Sequence, residues 1–263
     1  MITSSANPTI KAIRALRQRK VRTEQHVAVL EGIRLVGEAW QLGAALERVV
    51  VAPELLRSSF AHDLVAQAAQ DGVPVLEVSA HVFATLAHKE HPQGILAVVR
   101  QQWHELTDIQ VDHAPGWIAL DAVADPGNLG TILRTADAVG ASGVILVGET
   151  ADPYDPDALR AAMGATFSQR LVRTSASEFC AWKRHRAIHV VGSSDKATTD
   201  YRQATYPTPL ILLMGSERHG LSADLLAICD QMVRIPMAGR SDSLNLAVAS
   251  GILLYELVRA EGG

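Results

Sequence analysis

The chain has 263 residues, 48% apolar and 20% charged, with a formal net charge of −4. That length and apolar share can fill one large core or two ordinary ones, and the charge speaks against a protein that coats nucleic acid without selectivity. No stretch reaches the ~18–20 apolar residues of a membrane span and the amino terminus lacks a signal-peptide pattern, so a cytoplasmic protein is expected.

Within the first 22 residues lie six bases and no acid: Lys11, Arg14, Arg17, Arg19, Lys20 and Arg22. In "NPTIKAIRALRQRKVR", Ile10, Ile13 and Leu16 recur at helical spacing, predicting a basic helix over about residues 7–20 with an apolar seam and a cationic side suited to a polyanion. Then come "HVAVLEG", a helix at "IRLVGEAWQLG", a strand at "ERVVVA", a helix at "SFAHDLVAQAAQDG", a strand at "VPVLEV", a helix at "AHVFATLAH" and a strand at "GILAVV". Such alternation is α/β. Residues 1–100 carry 11 Lys/Arg against 9 Asp/Glu, and residues 101–263 carry 13 against 19, so the positive balance sits in the first region. The polar, mostly aperiodic "QQWHELTDIQVDHAPG" ends in Pro-Gly and marks a boundary. The expected division is a domain over 1–100, a linker over 101–115 and a second domain over 116–263.

In the second region, "WIALD", "GVILVG", "AIHVVGSS" and "PLILLMGSE" are short apolar runs separated by helical stretches, as a parallel sheet covered on both faces requires. Loops after the carboxyl ends of such strands form the ligand crevice. Neither internal repeats nor low-complexity tracts are present. Cys180 and Cys229 have no companions and are read as buried free thiols; His88 and His91 sit three apart without a matching ligand pair, and no metal is expected.

Three loops stand out. In "DPGNLGTILRTADAVGA", residues 125–141, Leu129, Ile132, Leu133, Ala136 and Val139 form a helical stripe with Arg134 nearly opposite. Asn128 is expected to cap this helix, and Gly127 and Gly130 allow a tight turn and close approach of another backbone. A dinucleotide site is the first rival, but "DPGNLG" gives G-x-x-G rather than G-x-G-x-x-G; Gly148-Glu149 after "VILV" is its remaining support. A P-loop is excluded by the missing G-K-[ST]. The second loop, "LLMGSERHGLS", holds Glu217 in its turn and Ser222 as an expected helix cap. The third, "VRIPMAGRSDSLNLAVASGILLYEL", stops a strand at Pro236 and starts a long helix near Ser243 or Asn245.

In order and spacing, "DAVADPGNLGTILRTADAVGA", "LILLMGSERHGLS" and "IPMAGRSDSLNLAVASGI" resemble the three signature motifs of the SpoU/TrmH branch of the SPOUT superfamily of RNA ribose 2′-O-methyltransferases. "SSANPTIKAIRAL", "VLEGIRLVGEA" and "HKEHPQGILAVV" look like parts of the L30e/L7Ae-like α/β substrate-binding domain often joined to it. The resemblance implies an α/β fold whose carboxy-terminal parallel-sheet domain is tied in a deep trefoil knot, a feature periodicity would never suggest since knots are rare. It implies S-adenosylmethionine as cofactor, held by Leu213, Met214, Gly215, Ile235, Met237, Leu244 and Asn245, largely through their main chain. It implies catalytic roles for Arg134, Asn128, Glu217, Ser243 and Asn245, and places Arg160 and Gly164 of "LRAAMGATF" near the site. Ser216 departs from the asparagine many relatives carry there.

The implied partners are structured RNA, preferably ribosomal, and a second copy of the chain through the knotted domain. The basic run Lys11 to Arg22 would grip phosphates. Transfer RNA is the alternative substrate. A catalytically inactive RNA-binding or ribosome-assembly protein and a nicotinamide-dependent oxidoreductase are the other classes; the first would be signalled by loss of the site residues, and none is lost.

Overall fold

The computed structural model describes residues 1–111 and 116–261; the last four residues of the expected linker lie outside them. Contacts divide the chain into two compact units. The first comprises Met1–Gln101 and Tyr154–Phe167, the second the remaining two stretches, Gln102–Pro153 and everything from Ser168 onward.

The amino-terminal run folds as two short helices rather than one: α1 (Pro8–Ala15) and α2 (Arg19–Gln25). Asn7 caps α1 by accepting the Thr9 N–H at 2.9 Å, with Pro8 in the first turn. The break at residues 16–18 carries no Gly or Pro and is tertiary in origin: Leu16 is buried, and the Arg17 guanidinium donates to the Thr85 and Ala87 carbonyls. There follow β1 (Val27–Glu31), α3 (Ile33–Gln41), β2 (Leu46–Val51), α4 (Ser59–Gln70), β3 (Val75–Glu77), α5 (Ala80–Leu86) and β4 (Ile95–Arg100). β4 lies between β1 and β2, antiparallel to both, and β3 pairs parallel with β2, giving the order β1-β4-β2-β3. Ile10, Ile13, Leu16, Val50, Phe83 and Leu96 form the core under these helices.

Arg22, expected on the cationic side, is buried instead. Its guanidinium donates to the Leu16 and Arg17 carbonyls at 3.1 and 2.8 Å and pairs with Asp155 Oδ2 at 3.3 Å, with only 2% of its side chain exposed. It therefore ties α2 to the segment 154–167 and is unavailable to a polyanion. Removing one partner of a buried pair leaves the others unsatisfied, so Arg22→Met is expected to cost about 3 kcal/mol, the low end of the range because Asp155 keeps some solvent. Thermal unfolding should show the midpoint lowered by ~6–12 °C; a change under ~2 °C would remove Arg22 as an anchor.

The second unit begins with residues 102–111, which run beside the sheet rather than as a free tether: the His104 N–H bonds the Leu171 carbonyl at 2.8 Å and Ile109 is buried. Along the chain come β5 (Trp117–Asp121), α6 (Pro126–Ala138), β6 (Gly143–Val147), then α7 (Pro156–Ala162) and α8 (Ala165–Ser168), of which residues up to Phe167 belong to the first unit, and β7 (Arg170–Thr174), α9 (Ala176–Arg184), β8 (His189–Ser193), β9 (Thr199–Asp200), β10 (Leu210–Met214), α10 (Ala223–Leu226), β11 (Gln231–Arg234) and α11 (Leu246–Glu261). Seven strands form one parallel sheet in the order β7-β6-β5-β10-β8-β11-β9. Every residue of β5, β6 and β10 is buried, which is why these strands read as apolar runs, broken only by Asp121 at the end of β5. Trp117, Ile145, Val172, Phe179 and Leu213 lie in the core on one face. Cys180 is buried and Cys229 partly so, and both are free; burial pushes the Cys229 thiol up to about 11, so it packs as a neutral group. No helix among the described residues is long and apolar enough to cross a membrane.

β5 and β10 are adjacent and parallel, with Met214 opposite Leu120, so the loops that leave them emerge side by side. The last helix, α11, returns over β10 and packs on α6, where Gly251 faces the Thr135 methyl. The three loops singled out in the sequence therefore meet at the carboxyl edge of one sheet.

Candidate active site

The site is built on the head of α6. Its cap is Asp125, not Asn128: the Asp125 carboxylate accepts the Asn128 N–H at 2.6 Å, and Pro126 occupies the first helical position. Aspartate followed by proline is a helix-start signal in its own right, and it was available in the sequence. With capping done by Asp125, the Asn128 side chain is free for another task. Its Nδ2 donates to Glu217 Oε1 at 2.9 Å, and its Oδ1 accepts from Asn245 Nδ2 at 2.9 Å. One amide thus links all three loops.

Asn245 is itself fixed. Its Oδ1 accepts the N–H groups of Ala247 and Val248 at 2.9 and 3.3 Å, capping α11 and leaving its amide nitrogen for Asn128. Glu217 rides on a closed turn in which Ser216 and Gly220 exchange main-chain hydrogen bonds of 3.0 Å. Gly215 enters that turn where only glycine fits, since a Cβ there would lie 2.2 Å from the Gly220 carbonyl carbon. Ser216 Oγ accepts the His219 N–H at 3.2 Å and so belongs to the inside of the turn. Ser222 stands at the cap position of α10 but makes no side-chain cap bond; its N–H donates to Asp121 Oδ2 at 2.8 Å. Asp121, buried at the end of β5, is a brace for the second loop that sequence reasoning did not single out.

The other expected residues fall into two groups. Leu213, Met214 and Gly215 are buried at the end of β10, while Ile235 and Leu244 are half-buried and Met237 is exposed. Among the described residues, the main chain of 235–244 makes no hydrogen bond within the protein. Free N–H and C=O groups beside an apolar strand end suit the adenine edge and the apolar parts of S-adenosylmethionine, so the residues present fit that cofactor. Arg134 lies on the exposed side of α6, six residues beyond Asn128, which is about 9 Å along the axis. It makes no hydrogen bond or ion pair among the described residues, and neither does the exposed Ser243. Within the chain the structure therefore joins Asn128, Glu217 and Asn245, and leaves Arg134 and Ser243 outside that network. Arg160 donates to Asp157 at 2.9 Å and, with Gly164, belongs to the first unit. No cluster of three or more His, Cys, Asp or Glu that could hold a metal occurs among the described residues.

A fully parallel α/β sheet with polar loops converging at its carboxyl edge is the architecture of a ligand-binding α/β enzyme. Residues 116–255 match the SpoU rRNA methylase family, and residues 7–97 match the MRM3-like substrate-binding domain. The chain belongs to the SpoU family. It is 32% identical to the Bacillus subtilis 23S rRNA (guanosine(2553)-2′-O)-methyltransferase RlmP, over 97% of this chain and 98% of that protein. The AdoMet-bound rRNA methyltransferase from Sinorhizobium meliloti superposes with a TM-score of 0.89 at 41% identity, covering 98% of this chain and 97% of that one. The SpoU methyltransferase AviRb from Streptomyces viridochromogenes, in complex with AdoMet, gives a TM-score of 0.85 at 31% identity, covering 96% and 97%.

Proposed function

We propose that this chain transfers a methyl group from S-adenosylmethionine to the ribose 2′-hydroxyl of one nucleotide in ribosomal RNA. The observation that carries this is the Asn128 amide, bonded at once to Glu217 and Asn245, which gathers residues of all three family motifs into one polar cluster. Ribosomal RNA is preferred because the Bacillus subtilis relative, similar over nearly its full length, is named for 23S rRNA.

Leu213, Met214, Gly215, Ile235, Met237, Leu244 and Asn245 would hold the cofactor, through main-chain groups and an apolar slot. When bound, it supplies an electrophilic methyl on sulfonium. Everything else falls to the protein. A ribose hydroxyl attacks only as its proton leaves and only in line with the departing sulfur, so orientation dominates. Arg134 is assigned to hold the hydroxyl and the neighbouring phosphate by charge-assisted hydrogen bonds. A guanidinium is a hydrogen-bond donor and not a practical proton acceptor, so proton removal is directed toward phosphate or water rather than onto Arg134. Asn128 and Glu217 orient the reacting pocket, and Ser243 shapes its exposed side.

The domain over 1–100 would grip RNA, with exposed Lys11, Arg19 and Lys20 as phosphate contacts; Arg14 and Arg17 are partly engaged with main-chain carbonyls. The catalytic domain over 116–263 is assigned the family's trefoil knot and a homodimer. Support for the dimer is the apolar exposure of α11 at Val248, Tyr255 and Val258, and light scattering should return twice the 28.2 kDa subunit mass. The site of action would be the cytoplasm.

The deciding experiment uses tritium-labelled S-adenosylmethionine with 23S rRNA and bulk tRNA transcripts, followed by mapping of 2′-O-methyl positions. Label confined to one 23S position is expected. Incorporation into tRNA alone, or into neither RNA, would refute the reading.

A further inference from the structure

The first unit holds a cavity of about 140 Å³ between β1, the head of α3, the loop over 88–93 and α7. A cavity of about 150 Å³ accepts a benzene ring, so this one has room for about one nucleobase, with its sugar and phosphate left at the rim. Val29, Leu35, Leu159 and Met163 supply apolar walls, and Arg34 and Lys89 stand among the lining side chains.

The acids near this cavity are already engaged. Glu31 accepts the His88 and Lys89 N–H groups at 2.7 and 3.3 Å, and Glu38 Oε1 accepts from Arg34 Nε at 2.8 Å. Lys89 has no ion-pair partner among the described residues. At the head of α3, Gln93 Oε1 takes the Ile33 N–H at 3.0 Å, while the N–H groups of Arg34 and Leu35 are unpaired among the described residues. Gly32, at φ +99°, makes this possible: a Cβ would come within 2.9 Å of Gln93 Oε1 and 3.1 Å of Lys89 Nζ. Glu38 Oε2 is shielded and lies toward Gly164 rather than open to the cavity.

Apolar walls, a free ammonium and unpaired N–H donors match a nucleotide: base inward, phosphate at the rim. α7 supplies one wall. It lies within the span that matches the methylase family, yet packs in the first unit.

We propose that this cavity receives one unpaired nucleotide of the RNA substrate, its base against Leu35, Leu159 and Met163 and its phosphate at Lys89 and the head of α3. The proposal rests on the reading of the chain as an RNA methyltransferase. Its test is filter binding of a 23S rRNA transcript by the full chain and by two variants, Leu35→Trp, which fills the cavity, and Lys89→Glu, which reverses its rim charge. Both positions are at least partly exposed, and thermal unfolding verifies that each variant folds. Each variant is expected to weaken RNA binding about tenfold, within the range set by loss of one stacked base, with S-adenosylmethionine affinity unchanged by calorimetry. Binding within twofold of wild type by either folded variant overturns the proposal. So does AMP that saturates the cavity at micromolar concentration without displacing RNA, which would assign it to a free nucleotide. Failure of the parent reading looks different: wild-type protein that binds the transcript and never methylates it.

Discussion

Arg134→Ala is expected to lower the turnover number for RNA methylation by about 10²–10³, the loss typical when one preorganised donor to a developing oxyanion is removed. S-adenosylmethionine affinity should stay within about twofold by calorimetry, because the proposed cofactor contacts lie on other loops. The residue offers a clean test. It is exposed and makes no hydrogen bond or ion pair among the described residues, so its removal should change stability by no more than ~0.5 kcal/mol. A drop in rate therefore reads on chemistry rather than on folding. Arg134→Lys separates charge from shape: lysine keeps the cation but not the planar fork, and should recover only part of the lost rate. Wild-type turnover in the lysine variant would refute the bidentate role, and wild-type turnover in the alanine variant would remove Arg134 from the mechanism.

Asn128→Leu is expected to reduce kcat/KM by about 10- to 100-fold and stability by roughly 1–2 kcal/mol, since two exposed side-chain hydrogen bonds vanish together. Leucine keeps the volume and removes both the donor to Glu217 and the acceptor from Asn245. Coupling is the sharper readout. If one amide organises the site, Asn128→Leu and Glu217→Ala should fall short of additivity in kcat/KM by about 1 kcal/mol or more, because each already disables the same contact. Strict additivity across that double-mutant cycle would mean that the bond is incidental to turnover.

The sheet of the second unit was legible because a strand buried on both faces cannot alternate: "WIALD", apolar up to its final Asp121, "GVILV" and "LILLM" correspond to β5, β6 and β10. The convergence of the loops followed from parallel pairing, which puts all carboxyl ends on one edge. Less legible was the division of labour at α6. Asp125 and Asn128 are both good capping residues, and choosing between them needed the detail that Pro126 fixes the first helical position between them. Arg22 was not legible at all, because the carboxylate that pairs with it in burial, Asp155, lies 133 positions away. The same holds for the break at residues 16–18, imposed by carbonyls of residues 85 and 87. Local pattern records which face of an element is apolar; it does not record which distant partner neutralises a charge.

The excursion of residues 154–167 into the first unit has a practical consequence for dissecting the molecule. Severing the gene after codon 101 would take Asp155 from Arg22 and strip α7 from the cavity wall, so the amino-terminal fragment would be a damaged unit rather than an isolated one. Complementary fragments, or point changes in the intact polypeptide, are the tools that keep the unit whole. By the same logic, exchanging residues 1–101 alone would not exchange the whole first unit, because part of it is written in the middle of the second.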